Sequence, residues 1–181
     1  MRRSYNYVGP KAIGVRAPAR PAGMRVESAE DVRRWVRQAV LGGTQAGSLT
    51  ATFVIDEDGW MRIADRRSEH VACAGRRPVL SAGEITLAVT PGGVEALWVS
   101  NQSTGYCPEP ESWPAVRAAL ERARISAPNS FHQECVFRRC DACGSINIVK
   151  ESEFECGVCS SALPKEWNLE GEAIAFPNDK G

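Results

Sequence analysis

The chain has 181 residues, of which 43% are hydrophobic and 24% are charged, as is usual for globular proteins. Lysine plus arginine equals aspartate plus glutamate at 22 each, so no overall field attracts nucleic acid or acidic substrates. No stretch approaches the roughly 20 apolar residues of a membrane span, and no apolar run typical of a secretory signal follows the basic start. We therefore expect a cytoplasmic protein whose seven cysteines are metal ligands or free thiols rather than disulfides.

The first segment, residues 1–26, is basic and contains no acidic residue. Three prolines interrupt it, which predicts an irregular arm that is either solvated or lies as a strand across the core. Its six lysines and arginines, with few aromatic residues among them, leave nucleic-acid binding open as an alternative role of this arm.

Two amphipathic helices are predicted within an α+β core domain over residues 27–127. In the first, Ser28 is placed to cap the N-terminus, Asp31 stands at the capping-box position, and Gly42 ends the apolar repeat. The second helix follows Ser112, which we interpret as its N-cap. Each helix has one apolar face, so each must pack on another element.

Two hairpins are predicted between these helices, over residues 50–64 and 79–100. Gly83 interrupts the second hairpin and indicates a bulge or a close approach of another backbone segment. The predicted fold class is therefore α+β, with an antiparallel sheet of about four or more strands. We expect the flanking helices to pack on one face of this sheet.

A small zinc ribbon is predicted over residues 131–168 because two Cys-x2-Cys pairs are separated by 12 residues. Zn(II) favours four thiolates in a tetrahedron, and each pair brings two of them to one ion. The predicted ligands of one structural Zn(II) ion are Cys140, Cys143, Cys156 and Cys159. Gly144 stands where the first knuckle needs a residue without Cβ strain.

The rest of the ribbon predicts a supporting role for the metal. Residues 146–150 and 153–156 can pair as a short hairpin, and residues 169–181 are expected to form a flexible tail. Basic and acidic residues balance within the ribbon, which favours stapling of the C-terminal segment or contact with a protein partner over nucleic-acid binding.

Polar residues unusual for a plain scaffold cluster in segments 69–73, 82–84 and 101–107, at loops and strand ends. As catalytic candidates, His70 is a general base, Glu84 is its orienter, and Ser103 or Cys107 is a nucleophile. The candidate ligand-binding residues are Arg66, Arg67, Asn101, Gln102, Tyr106 and Cys107.

Alternatives remain for the same residues. Cys73 is a further candidate nucleophile, and His70, Cys73, Cys107 and Cys135 are candidates for a second metal site. In a purely structural interpretation, His70 bonds backbone, Glu84 pairs with an arginine, and the small polar residues form turns.

Three short motifs lie in the same order within residues 50–125. They are His70-Val71-Ala72-Cys73, Ser81-Ala82-Gly83-Glu84 and Ser103-Thr104-Gly105-Tyr106-Cys107-Pro108. In order and spacing they resemble an uncharacterised domain of plant IQ-motif calmodulin-binding proteins and its fungal and bacterial relatives. The whole chain resembles an uncharacterised bacterial group that joins this domain to a C-terminal ribbon. The resemblance implies that the polar residues line one pocket; the IQ motif is missing, so calmodulin binding is not implied.

These observations lead to three hypotheses. The first is a zinc-ribbon protein whose core binds a small polar ligand and whose ribbon is a structural staple or docks a protein partner. The second is a small enzyme that transfers or hydrolyses an acyl or nucleotide-linked group. It would use the His70 set, which is His70 with Glu84 and Ser103 or Cys107. The third is a nucleic-acid-binding module that uses the basic arm and the ribbon.

Overall fold

One five-stranded antiparallel sheet organises the computed structural model, which describes residues 3–41 and 47–170. Its order is β1-β3-β2-β4-β5. The strands are β1 (Met24–Val26), β2 (Ser48–Asp56), β3 (Met61–Asp65), β4 (Val79–Thr90) and β5 (Gly93–Val99). Both predicted hairpins are confirmed, as β2–β3 and β4–β5, and the pairing of β2 with β4 joins them. The predicted α+β class is thus confirmed.

Helices cover both faces of this sheet, and the prediction that they lie on one face is wrong. They are α1 (Lys11–Arg16), α2 (Ala29–Leu41), α3 (His70–Ala74) and α4 (Trp113–Arg122). Neighbouring strand residues point to opposite faces. Phe53 therefore packs with Val36 of α2, whereas Val54 packs with Val71 of α3 and with Tyr106. The five-residue α3 lacks the repeat that reveals a longer helix.

The two predicted helix caps have different outcomes. A carboxylate oxygen of Asp31 accepts hydrogen bonds from the backbone N–H of Ser28 at 2.9 Å and from its hydroxyl at 3.1 Å, so the N-terminus of α2 is fastened as predicted. Ser112 stands at the N-cap position of α4 as predicted, but its side chain makes no capping hydrogen bond. A 3₁₀ turn, Pro110–Ser112, leads into α4, and the hydroxyl of Ser112 lies 2.9 Å from that of Ser81 instead.

The basic arm lies across the second face of the sheet, which was one of the two conformations predicted for it. Tyr5 and Val79 exchange backbone hydrogen bonds of 2.7 and 3.0 Å, so the arm adds a bridge beside β4. Further along, Val8 donates to the carbonyl of Gly105 at 2.7 Å. No helix in the described part of the chain is long and apolar enough to cross a membrane.

Gly83 in β4 confirms the predicted close approach of another backbone segment. A Cβ atom at this position would lie 1.9 Å from the carbonyl oxygen of Ser100 and 3.0 Å from the Cα of Asn101. Two backbone segments therefore cross where only a hydrogen atom fits between them. This crossing fixes where the loop that follows β5 leaves the sheet.

We predict that Gly83→Ala lowers the free energy of unfolding by about 3 kcal/mol, because the backbone at residues 100–101 has to move away from the new methyl group. The matched control is Gly92→Ala, whose nearest neighbour would be the Thr90 hydroxyl at 3.8 Å. Urea denaturation of the three proteins measures both values. Equal stability of Gly83→Ala and the parent protein would contradict the crossing.

Candidate functional site

Four cysteine sulfur atoms form a compact cluster at the C-terminal end of the described chain. The Sγ atoms of Cys140, Cys143, Cys156 and Cys159 all lie within 4.8 Å of one another. Two of the separations, Cys140 to Cys159 and Cys143 to Cys156, are 3.6 Å. Tetrahedral Zn–S bonds of about 2.3 Å place sulfurs about 3.8 Å apart. The donor set therefore fits one tetrahedral metal ion and leaves no coordination position open.

The two knuckles that present these sulfurs repeat the same backbone hydrogen bonds. Gly144 donates to the carbonyl of Cys140 at 2.8 Å, and Ser160 donates to the carbonyl of Cys156 at 2.9 Å. Gly144 has φ +75°, which confirms that the first knuckle uses a left-handed residue. Ser160 adopts φ +57° at the equivalent position of the second knuckle. Each knuckle thus requires a left-handed backbone conformation at this position, and glycine adopts it most easily.

The ribbon pairs its strands differently from the prediction. Strand β6 (Val136–Arg139) pairs antiparallel with β7 (Ile146–Val149) across the first knuckle. The predicted hairpin of residues 146–150 with 153–156 is reduced to an isolated bridge between Lys150 and Glu153. The knuckle reverses the chain tightly, so the segments on its two sides become neighbours first.

Backbone amides of the second knuckle favour the metal-binding form of Cys156. Hydrogen bonds from the N–H groups of Val158 and Cys159 lower the pKa of the Cys156 thiol to about 6. The side-chain amide of Asn147 also donates to this sulfur, at 3.6 Å. Since a metal binds the thiolate, these amides favour the form of Cys156 that could hold an ion.

A buried arginine fastens the ribbon to the core. Arg138 in β6 has a side chain only 6% exposed and forms an ion pair of 2.7 Å with Glu109, which precedes α4. The same guanidinium donates to the carbonyl of Lys165 at 2.8 Å and to that of Phe137 at 2.7 Å. One cation thereby joins the core, β6 and the segment after the second knuckle.

The side chain of Asn101, predicted to bind ligand, makes three hydrogen bonds inside the protein. Its amide group donates to the carbonyls of Pro108 and Cys135 at 2.7 and 2.8 Å, and its oxygen accepts from the Cys135 amide at 2.7 Å. Nearby, the indole N–H of Trp167 donates to the carbonyl of Cys107 at 3.0 Å. These bonds hold the loop at residues 101–108 against the segment that enters the ribbon.

The structure brings His70 and Glu84 close together on the α3 side of the sheet. The imidazole Nε2 lies 3.0 Å from the carbonyl oxygen of Gly83, and Glu84 pairs with Arg66 at 3.5 Å. Burial lowers the pKa of His70, although the Gly83 carbonyl and the Glu84 charge partly oppose this shift. The imidazole is therefore neutral at pH 7 and donates through Nε2, so Nδ1 is left as an acceptor.

The other predicted site residues, all of which lie in the described part of the chain, make no hydrogen bonds to His70 or Glu84, apart from Arg66, which pairs with Glu84. Ser103 is buried and accepts from the Tyr106 amide at 3.4 Å, and the Tyr106 hydroxyl donates to the Arg77 carbonyl at 2.8 Å. Residues 3–41 and 47–170 show no hydrogen bond between His70 and Ser103. Arg67 and Gln102 are exposed.

The thiols of Cys73 and Cys107 are fully buried and stay protonated. Burial raises the pKa of each to about 12, which disfavours either as a nucleophile at neutral pH. Cys107 packs with Cys135 in one apolar cluster, whereas Cys73 belongs to another. Within the described chain, the four ribbon cysteines are the one group of three or more His, Cys, Asp or Glu that could hold a metal. His70, Cys73, Cys107 and Cys135 do not form such a group.

A cleft that the sequence did not reveal opens between the arm and the start of α4. Its volume is about 610 Å³, and its lining residues are Arg3, Tyr5, Leu80, Glu109, Glu111, Ser112, Pro114 and Ala115. The one available signal was the acidic, proline-rich run before α4. Nothing local in the sequence shows that the arm forms the opposite wall.

Comparison with known proteins adds no relative: no protein-family model, no curated protein and no solved structure matches this chain. The resemblance to the IQ-associated domain stays a prediction.

We predict that His70 makes stability depend on pH. Because its folded-state pKa lies below the usual value of about 6.5, the unfolded chain binds a proton more readily. The His70 contribution is thus complete above about pH 6.5 and is lost as the pH falls from there towards the folded-state pKa. The matched control is His70→Gln, whose amide can still donate to Gly83 but does not titrate. Urea unfolding between about pH 7.5 and 5.5 should show the parent losing more stability than this variant, whereas parallel curves would contradict the assignment.

Proposed function

We propose that this is a cytoplasmic zinc-ribbon protein whose ribbon holds one structural Zn(II) ion and staples the C-terminal segment to a ligand-binding α+β core. The ligands of the ion are Cys140, Cys143, Cys156 and Cys159. A bound Zn(II) ion would supply a crosslink between the two knuckles. A closed set of four thiolates has no position for substrate, which supports a structural role.

The buried Arg138–Glu109 ion pair is the observation that carries the stapling role. The apolar cluster of the ribbon itself is small, with only Cys140, Cys156 and Leu163 buried in it. A segment of this size has too little core to fold alone without a metal. The metal therefore shapes the ribbon, and Arg138 attaches the shaped ribbon to the core.

A protein partner is a second role for the ribbon, supported by its outer surface. Val158, at the second knuckle, is 72% exposed, and Ile148 in β7 is 37% exposed. These apolar side chains point away from the packed side of the ribbon and favour protein over nucleic acid as a partner. Nucleic acid has no comparable support, since the ribbon charges are balanced.

Ligand binding by the core is supported by polar side chains near His70 that can still accept or donate hydrogen bonds. Among the described residues, the Nδ1 atom of His70 has no hydrogen-bond partner. Glu84 and the exposed Arg66 lie beside it. His70 and Glu84 can together contact a small polar ligand. The enzyme alternative lacks the contact between base and nucleophile that it requires.

Zinc analysis tests the metal site. We predict about one zinc per chain, and loss of zinc from Cys156→Ser because one of four ligands is removed. Cys135→Ala is the matched control, since Cys135 lies just before β6 and is not one of the four proposed ligands; it should keep its zinc. Atomic absorption after dialysis measures the content. A parent protein that purifies under reducing conditions without zinc and does not take it up would contradict the proposal.

A double-mutant cycle tests the attachment. We predict that Arg138→Met lowers the free energy of unfolding by about 3–5 kcal/mol, because Glu109 is left buried without its partner. The double variant Arg138→Met/Glu109→Gln should lose less than the sum of the single losses. Zinc content should remain unchanged, while proteases should cut residues 131–170 faster. Additive losses without faster cleavage would refute a stapling role for this pair.

A further inference from the structure

The cleft between the arm and α4 has walls of opposite charge. Arg3 stands on the arm wall, whereas Glu109 and Glu111 stand on the helix wall. In residues 3–41 and 47–170, no ion pair joins Arg3 to either glutamate across the opening. The arginine and Glu111 thus keep their charges available to a molecule between the walls.

A tyrosine hydroxyl group also opens on this cleft. Tyr5 is only 2% exposed, yet it lines the cleft. The backbone amide of Glu109 lies near its phenol oxygen and by itself lowers the pKa of Tyr5. No acceptor for the hydroxyl proton is present in the described part of the chain. Burial raises the pKa of Tyr5, so the group remains a proton donor at neutral pH. Among the described residues, the fully buried side-chain donor without a partner is Trp113 Nε1 and not the Tyr5 hydroxyl, so water or a ligand can reach that hydroxyl from the cleft.

Residues of the ribbon segment support both walls. Arg138 holds Glu109 through the buried ion pair. On the other wall, the Arg3 guanidinium lies 4.7 Å from the centre of the Trp167 ring, and Trp167 packs edge-on against Tyr5 at 5.6 Å. The cleft is therefore built from three separated parts of the chain that the ribbon brings into contact.

We propose that this cleft binds a small zwitterion of about dipeptide size, with its carboxylate at Arg3 and Tyr5 and its ammonium group at Glu111. The floor and the helix wall offer Leu80 and Ala115 to its aliphatic part. The volume lies within the range of small-molecule sites. This inference rests on the proposed ligand-binding function and names a different site for it, because none of these residues belongs to the His70 set.

Three peptides test the charge requirement: alanyl-leucine, N-acetyl-alanyl-leucine, which lacks the ammonium, and alanyl-leucinamide, which lacks the carboxylate. Each is titrated into the zinc-loaded full chain at pH 7 while backbone amide signals are followed by NMR. Alanyl-leucine should shift amides of residues 3–5 and 109–115 and bind about five-fold more tightly than either blocked peptide.

Variants then assign each charge to its wall. Glu111→Gln should weaken alanyl-leucine about three- to five-fold and leave the N-acetyl peptide unchanged. Arg3→Gln should weaken the binding of alanyl-leucine by a similar factor and leave the binding of alanyl-leucinamide unchanged. Both side chains are exposed, so the fold should persist. Glu95→Gln and Arg20→Gln remove exposed charges outside the cleft and should bind as the parent does.

Two results would overturn the cleft assignment. One is the lack of saturable shifts at these amides up to about 10 mM peptide. The other is saturation confined to the amides around His70 and Glu84, which would support the predicted core site instead. Zinc content measured on the same samples separates the two proposals. If the protein holds zinc but does not bind the peptides, only the proposed cleft site is refuted. If the protein cannot hold zinc, the proposed zinc site of the ribbon is refuted.

Discussion

The buried ion pair between Arg138 and Glu109 is the interaction on which the arrangement of this molecule depends. A guanidinium taken out of water is tolerated only if its donors are satisfied, and here a carboxylate and two carbonyls surround it. The pair therefore specifies one orientation of the ribbon on the core. The same contact fixes the carboxylate wall of the cleft, so the attachment of the ribbon and the proposed binding surface share Glu109.

Near this pair, hydrogen bonds between residues far apart in the sequence hold the loop at residues 101–108 against the ribbon segment. Asn101 ties residues 101–108 to the entrance of the ribbon, and Gly83 allows the neighbouring backbone to cross β4 at van der Waals distance. Trp167 reaches back from beyond the second knuckle to the carbonyl of Cys107. The ribbon segment therefore contacts the loop at residues 101–108 at two points, Asn101 and Cys107.

Several predictions succeeded because the signal was local. The hairpins, the Asp31 cap and the left-handed Gly144 all depend on residues within a few positions of one another. Ser112 occupies the predicted N-cap position, but its hydroxyl lies beside that of the distant Ser81 and makes no capping hydrogen bond. The core set was predicted as a polar pocket, yet Asn101 spends its hydrogen-bonding capacity within the protein. Residue type alone does not distinguish a polar side chain that binds ligand from one that joins two segments.

The sequence by itself determined which four cysteines could hold a metal ion, the strand pairs joined by short turns, and the balance of acidic and basic residues. Only the tertiary structure decided that helices cover both faces of the sheet, that Arg138 is buried against Glu109, and that Arg3 faces Glu111 across a cleft. The physical reason is distance along the chain. Spacing and turn chemistry act between neighbours, whereas the burial of a charge depends on which remote segments pack around it.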